Sequence, residues 1–312
     1  MKEIDNVEIT CLVDNNVDIL LPNNEVAFRP SLNENWFMHP LIAEHGFCAA
    51  IKLEANGIEH KILFDSGLDP MVAIHNAEVL DFNLSSLDLV ISSHGHVDHT
   101  GGLISIINKM DKRKRQQMPL VLHTDAFKNR MVKLKDGRKI NLPAPNRSNL
   151  IQAGYDIIER QSQSLWMEDR LLVTGEIPRI NNFEKGFPNH YSEVDGKMEN
   201  DPEIKDDQSV IFNIKDKGLV VLTGCAHAGI INIIEYAKEL TGQHNIYAVI
   251  GGMHLTGGMF EMLIPRTIDE LERLDPRILI PCHCSGLNAM GEISKHIPNA
   301  FIQNSVGTKY VF

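Results

Sequence analysis

The chemistry of this chain is concentrated in one run, Ser93-His94-Gly95-His96-Val97-Asp98-His99-Thr100-Gly101-Gly102. Imidazole nitrogens and a carboxylate suit divalent zinc, iron or manganese, and catalytic sites of this kind keep one position open for water. Ahead of the run, Leu87–Ser92 is short and nearly all apolar, as expected of a strand buried on both faces. After such a strand His94 and His96 alternate and can point the same way. Asp98 and His99 lie where the backbone turns and can serve a second ion close by. Gly95, Gly101 and Gly102 relieve crowding in a tight turn, and Leu103–Met110 reads as a short helix. A polar loop with histidines in it by accident has no need of this strand–loop–helix setting.

The surrounding elements must bring further ligands to that loop. Val7–Val13 is rich in β-branched and apolar residues, and Phe47–Leu53 and Lys61–Phe64 flank the turn-like Ala55–Asn56–Gly57, so the chain opens as strands. From 111 to 207 the pattern loosens into charge runs and Pro/Gly/Asn-rich stretches, which lie on surfaces and often shape a binding site. Regularity then returns. Ser209–Ile214 and Gly218–Leu222 form a hairpin, Gly229–Leu240 a helix, Ile246–Ile250 a strand, Thr267–Leu274 a helix and Ile278–Ile280 a strand. That order predicts sheets covered by helices, a layered α/β or α+β domain over residues 1–312, taken as α+β, with 111–207 as an active-site elaboration. His227, His254 and His283 each follow a predicted strand, where ligands gather in open sheets.

Composition narrows the partners. The 312 residues carry 30 basic against 41 acidic side chains, a net charge of −11, which argues against nucleic acid or an anionic membrane as the main partner. Five cysteines, an odd number in a long chain, do not suit a disulfide framework and predict reduced thiols in a cytoplasmic setting. MKEIDNVEIT has no basic region followed by an apolar run, and the longest apolar stretches fall far short of the roughly 20 residues of a membrane helix. G-x-S-x-G and G-x-x-x-x-G-K-[ST] are missing, so neither an activated serine nor ATP use is supported. Oligomeric state is left open.

The HxHxDH run after a buried strand resembles the hallmark of the metallo-β-lactamase superfamily, and the resemblance covers most of the chain. Asp65 in FDSG matches the usual early Asp, and His283 in PCHCSG the usual late His. The implied fold is a four-layer αββα sandwich with one or two metals at its edge, zinc first, iron or manganese as alternatives. His96 stands where the flavodiiron branch carries Glu, which disfavours oxygen reduction. AEHG (Ala43–Gly46), TGEIPR (Thr174–Arg179), DDQS (Asp206–Ser209), LTGCAHAGI (Leu222–Ile230), GGMHL (Gly251–Leu255) and PCHCSG together resemble the dihydropterin–ribofuranosylaminobenzene phosphate synthase-like branch. That name implies a condensation forming a carbon–nitrogen bond with loss of phosphate or diphosphate.

One departure shapes the ligand expectation. The superfamily places a His before the strand that precedes its bridging Asp, yet Glu203–Asp207 holds none, and Cys225 stands in the bridging place. With His227 compensating, the resemblance implies His94, His96 and His227 at one metal and Asp98, His99 and His283 at the other. Cys225 bridges, or Asp206 or Asp207 fills a gap. Asp65 orients a metal-bound histidine or water. His254 is either a proton donor to the leaving group or a hydrogen-bonded strand-end histidine. Arg179 and Glu176 are candidate contacts to a substrate phosphate, with a surface role as the alternative, and His45 lines the pocket or serves structure. His39, His60, His75, His123, His190, His244 and His296 are assigned nothing, and Lys112–Arg115 reads as a solvated helix end. Cys282-His283-Cys284 is not a CxxC pair.

The functional expectation is a binuclear metalloenzyme whose ion pair lowers the pKa of a bound water from 15.7 toward roughly 7 and acts on a phosphorylated or ester-like small molecule. The synthase-like condensation is the narrower form. A phosphodiesterase-type metallohydrolase is the first alternative, and a binding or sensor protein with a degenerate site the second.

Overall fold

Strand Gly218–Thr223 is buried at every position, and its two faces belong to different layers. Val220 and Leu222 join an apolar core with Phe212, Ile250 and Ile280 from neighbouring strands, and with Ile51, Phe64 and Ile91 from a second sheet. Leu219 and Val221 face the other way, against Ile230, Ile233 and Ile234 of helix Ile230–Thr241 and Ile268 of helix Ile264–Leu274. A strand covered on both sides has no use for alternation, which is why it reads as a continuous apolar run.

The computed structural model describes residues 1–31, 37–55, 57–111, 115 and 117–312. One sheet has eight strands, in the order Ala27–Phe28, Lys309–Val311, Val7–Val13, Cys48–Ala55, Ile58–Phe64, Leu89–Ile91, Met118–Leu122 and Tyr155–Glu159. The second has six: Ser164–Trp166, Leu171–Val173, Ser209–Ile214, Gly218–Thr223, Ile246–Gly252 and Ile278–Cys282. Their facing sides share the inner core. The outer face of the large sheet buries Leu63, Val90 and Leu120 against Ile74, Ile106 and Leu150 of helices Val72–Val79, Leu103–Lys109 and Arg147–Ala153. The second sheet is covered by Ile230–Thr241, Ile264–Leu274 and Leu287–His296. This is the four-layer αββα sandwich anticipated above. No described helix is long and apolar enough to cross a membrane.

Several elements escaped the sequence pattern. Helices Val72–Val79 and Leu287–His296 and the closing strand Lys309–Val311 were not anticipated. That strand is held by pairing with Val7–Val13, a partner about three hundred positions away, so no local signal announces it. The loosely patterned stretch 111–207 is divided among three sheets. Met118–Leu122 and Tyr155–Glu159 extend the large sheet, while Ser164–Trp166 and Leu171–Val173 extend the second. Only Arg130–Lys133, Lys139–Leu142, His190–Val194 and Lys197–Asn200 form a separate four-stranded sheet. Asn56 of the expected turn, and residues 112–114 of the basic run, lie outside the described residues.

Phe212 is fully buried between the two main sheets. Phe212→Ala should therefore destabilise the protein by about 3–5 kcal/mol through lost burial and a residual cavity. Denaturant unfolding checks this, and an unchanged midpoint would contradict the sandwich interior described here.

Candidate metal centre

The site lies where strands of both sheets end. Asp65 follows Ile58–Phe64, the His94–His99 run follows Leu89–Ile91, Cys225 and His227 follow Gly218–Thr223, His254 follows Ile246–Gly252, and His283 follows Ile278–Cys282. Four of the turning residues, Asp65, Ala226, His254 and His283, have left-handed backbones with φ of 61°, 57°, 47° and 47°. Such conformations cost on the order of 1–3 kcal/mol each and persist only where the surroundings over-determine them. Here each turn follows directly on a strand paired into its sheet.

Three imidazole nitrogens converge first. His94 Nε2 is 2.9 Å from His96 Nδ1, and His227 Nε2 is 3.2 Å from both. Zinc–nitrogen bonds of about 2.0–2.1 Å in a tetrahedron place nitrogens roughly 3.3–3.4 Å apart, so this triangle fits one divalent ion. Burial pushes all three histidines well below their ordinary pKa, helped by neighbouring imidazoles and, for His94 and His96, by Arg130. They are neutral, and their facing lone pairs suit one divalent ion held between them.

A second group stands beside the first. His99 Nε2 is 3.2 Å from His283 Nε2 and 3.1 Å from Cys225 Sγ, and Asp98 Oδ2 is 3.7 Å and 3.5 Å from the two imidazoles. Cys225 Sγ also groups with His94 and His227, so the thiol lies between the two sets. Burial pushes the Cys225 thiol up, and a thiolate there requires a cation beside it. Burial opposes a charged Asp98 too, but His99 and His283 more than offset it and hold the carboxyl well below its usual range. Cys225, His254 and Cys284 also offer ligand atoms within 4.8 Å of one another.

Outer partners fix which nitrogen of each ring faces inward. Asp65 is fully buried, accepting from Ser93 N at 2.6 Å and Ser93 Oγ at 2.7 Å, and its Oδ2 lies 2.7 Å from His99 Nδ1. Burial works against a charged His99, yet Asp65 and Asp98 push it up to about 9. Ser93 Oγ is 2.9 Å from His94 Nδ1, and Asn15 Oδ1 is 3.4 Å from His283 Nδ1. His227 Nδ1 is buried without a partner. Sequence reasoning missed Ser93, Asn15, Arg130 and His190, since none carries a spacing signal.

Behind the loop, Arg130 is buried and paired with Asp206, Nη2 to Oδ1 at 2.7 Å, while Asp206 Oδ2 accepts from Gly95 N at 2.7 Å. A Cβ on Gly95 would come within 2.0 Å of Ala126 O and 2.5 Å of Arg130 Nη1. Only glycine lets the loop sit this close. Asp206 thus holds the loop from behind. Asp207 Oδ2 accepts from Ala228 N, and burial pushes its carboxyl up to about 7.

The remaining sequence candidates separate. His45 and His283 line a cleft of about 850 Å³ together with Asn15, Leu287, Met290 and Phe301. His45 Nε2 is 3.8 Å from Asp98 Oδ2. His254 lies on the other side, its ring 4.3 Å from that of His227 and 4.5 Å from that of Phe260, beside a void of about 20 Å³. Arg179 lines neither cavity and donates to Ile177 O and Glu203 O, so its guanidinium is engaged with backbone carbonyls. Glu176 pairs with Lys205 at 3.4 Å at the surface.

A sandwich with imidazole, carboxylate and thiol donors converging at its strand ends defines a metallo-β-lactamase-type protein. The metallo-β-lactamase superfamily model matches residues 45–115. The chain is 31% identical over 278 residues to an uncharacterized protein of Methanocaldococcus jannaschii, covering 88% of this chain and 96% of that protein. It belongs to the metallo-β-lactamase superfamily. From the same organism, 7,8-dihydropterin-6-methyl-4-(beta-D-ribofuranosyl)-aminobenzene-5'-phosphate synthase is 29% identical over 258 residues, covering 80% of this chain and 84% of that enzyme. A crystal structure of a metal-dependent hydrolase of the β-lactamase superfamily matches with a TM-score of 0.73 at 21% identity, over 97% of this chain and 98% of that one.

The clamp behind the loop has a pH signature. Burial opposes charge on Asp206, but Arg130 outweighs it and holds the carboxyl below its usual range. A depressed carboxylate stabilises the fold above its unfolded value of about 3.9, and that contribution disappears as pH falls through the folded value. Asp206→Asn should cost about 3–5 kcal/mol at neutral pH by stranding a buried guanidinium, and should flatten the loss of stability below about pH 4. Unfolding curves of both proteins from pH 7 to pH 3 check both effects.

Proposed function

We propose that this chain is a metal-dependent enzyme that holds two divalent ions, zinc in the first instance, and acts on a phosphorylated or ester-like small molecule. The observation that carries it is the convergence of two donor groups on a shared thiol. His94, His96 and His227 form one, Asp98, His99 and His283 the other, and Cys225 lies between them. Imidazole and thiol donors favour zinc over oxygen-loving magnesium or calcium. When bound, such ions acidify water and polarise a substrate oxygen.

The chain's own residues have distinct tasks in this reading. Asp65 accepts from His99 Nδ1 and so leaves Nε2 free to ligate. Asp98 supplies the negative charge that offsets the second ion. His45 and His283 face the cleft of about 850 Å³ in which substrate is held. His254 keeps an unpartnered Nδ1 and can carry a proton to a leaving group. The Arg179 guanidinium serves two backbone carbonyls and lines neither cavity, which sets it apart from a phosphate clamp.

Likeness to the named synthase supports a condensation with loss of phosphate or diphosphate as the narrower reading. A metallohydrolase of the phosphodiesterase type shares every residue above. The two separate on whether turnover needs an amine or aromatic co-substrate.

Protein purified without added metal or chelator should contain about two zinc, iron or manganese ions per chain by elemental analysis. His227→Ala should lose at least one of them. Full retention in that variant would remove His227 from the ligand set, and a metal-free wild type, even after reconstitution, would favour a binding or sensor protein.

A further inference from the structure

We propose that His190, on the small separate sheet, is a positioning residue that fixes the tautomer of His96 and so makes His96 Nδ1 a metal-facing lone pair. This rests on the metal-centre reading above and adds to it a control exerted from outside the sandwich.

His96 Nδ1 is the nitrogen aimed at the centre, 2.9 Å from His94 Nε2 and 3.2 Å from His227 Nε2. A neutral imidazole carries one proton, so a ligating Nδ1 requires that proton on Nε2. His96 Nε2 is 3.3 Å from His190 Nε2. Two ring nitrogens at that distance need one donor and one acceptor. The other side of His190 decides which. Its Nδ1 is 2.8 Å from the backbone carbonyl of Asp201, and 3.9 Å from the Asp201 carboxylate. Both groups accept, and the carbonyl can do nothing else. His190 Nδ1 therefore carries the proton, His190 Nε2 is the acceptor, and His96 Nε2–H donates to it. Every proton in the chain from Asp201 O to His96 Nδ1 is fixed by a carbonyl that cannot donate.

The backbone gives this chain its rigidity. His190 is fully buried, and its strand His190–Val194 pairs antiparallel with Arg130–Lys133, His190 opposite Val132. The same strand pair carries Arg130, which holds Asp206 and through it Gly95 N. Two adjacent strands of the small sheet thus grip the His94–His99 loop at its backbone and at one imidazole. His94, His99 and His283 find their outer partners on Ser93, Asp65 and Asn15, within the main sandwich. His96 alone among these draws its partner from the separate sheet.

The test uses cobalt(II) alone as the probe, loaded into the full chain and competed against a chelator, with the visible absorption of bound cobalt as the readout. His190→Leu removes the acceptor, while His190→Gln keeps an oxygen where Nε2 stands. In His190→Leu one cobalt should bind about tenfold or more weaker, with a changed spectrum, and the other should keep wild-type affinity. His190→Gln should stay close to wild type. Wild-type affinity in His190→Leu, or equal loss in both variants, overturns the proposal. Long-range nitrogen–proton NMR on the zinc-loaded wild type tests it without any variant. His190 should be the Nδ1–H tautomer and His96 the Nε2–H tautomer, and the reverse on either ring overturns the assignment. A wild type that takes up no cobalt overturns the metal-centre reading and this proposal with it, and is distinguished from a His190 effect because it appears before any substitution.

Discussion

Neutral imidazoles brought face to face in a buried pocket are the constraint on which the rest of this protein depends. His94, His96 and His227 are kept uncharged by burial, and their inward nitrogens lie about one metal-ligand edge apart. Lone pairs so arranged repel unless a cation occupies the space between them. A partner on the outward nitrogen keeps a ring's proton away from the centre. Ser93 and His190 do this for His94 and His96, and Asp65 and Asn15 for His99 and His283 of the second group, while His227 Nδ1 has no such partner. The outer hydrogen bonds are therefore as much a part of the centre as its donors.

Meeting this constraint puts strain at the strand ends. Each contributing strand must stop, turn sharply and present a side chain toward a common point, and four non-glycine residues adopt left-handed backbones to do so. The sandwich can hold them because the strands beneath are buried where they end and hydrogen-bonded into their sheets, with Ile278–Cys282 at the edge of the second sheet. Strand Ile246–Gly252 lies between Gly218–Thr223 and Ile278–Cys282, with parallel pairing to each. Such a frame leaves the turns little freedom to relax. Gly95 meets the opposite demand: it is small because Ala126 and Arg130 pack against the loop where a side chain would be.

Charge is balanced in layers around the same point. Asp98 and Asp65 bring negative charge to the second donor group, while Arg130 and Asp206 neutralise each other behind the first. Removing one member of the buried pair leaves its partner uncompensated in a low-dielectric interior, which is why such pairs behave as a unit. The cleft in front is different in kind. It is lined by amides, hydroxyls, apolar side chains, imidazoles and the carboxyl of Asp14, with no Lys or Arg among the lining residues, so negative charge on a substrate would be met by the centre itself rather than by a surrounding basic patch.

How much of this could be read from residues alone follows from the range of each signal. The run from His94 to His99 was legible because its candidate ligands, its glycines and its preceding strand are adjacent in the chain. The αββα layers were legible through the family resemblance that this run carries, with Leu87–Ser92 alone reading as a strand buried on both faces. Even the separate placements of His227, His254 and His283 followed from their positions after strands. What the chain order could not convey was anything held by partners distant in sequence. His190 stands in a polar stretch with no periodic neighbour, and its relation to His96 spans 94 positions. Arg130 and Asp206 meet across a sheet that no pattern announced, and Arg179, plausible as an anion clamp from its setting, turns out to be engaged by carbonyls. Sequence by itself determined the candidate donor types and the strand ends that carry them, because these depend on local spacing, and it gave the layers through the resemblance that the donor run carries. Tertiary structure alone decided which donors share a point, which nitrogen each ring presents and which charges are neutralised, because those depend on where distant strand ends arrive in space.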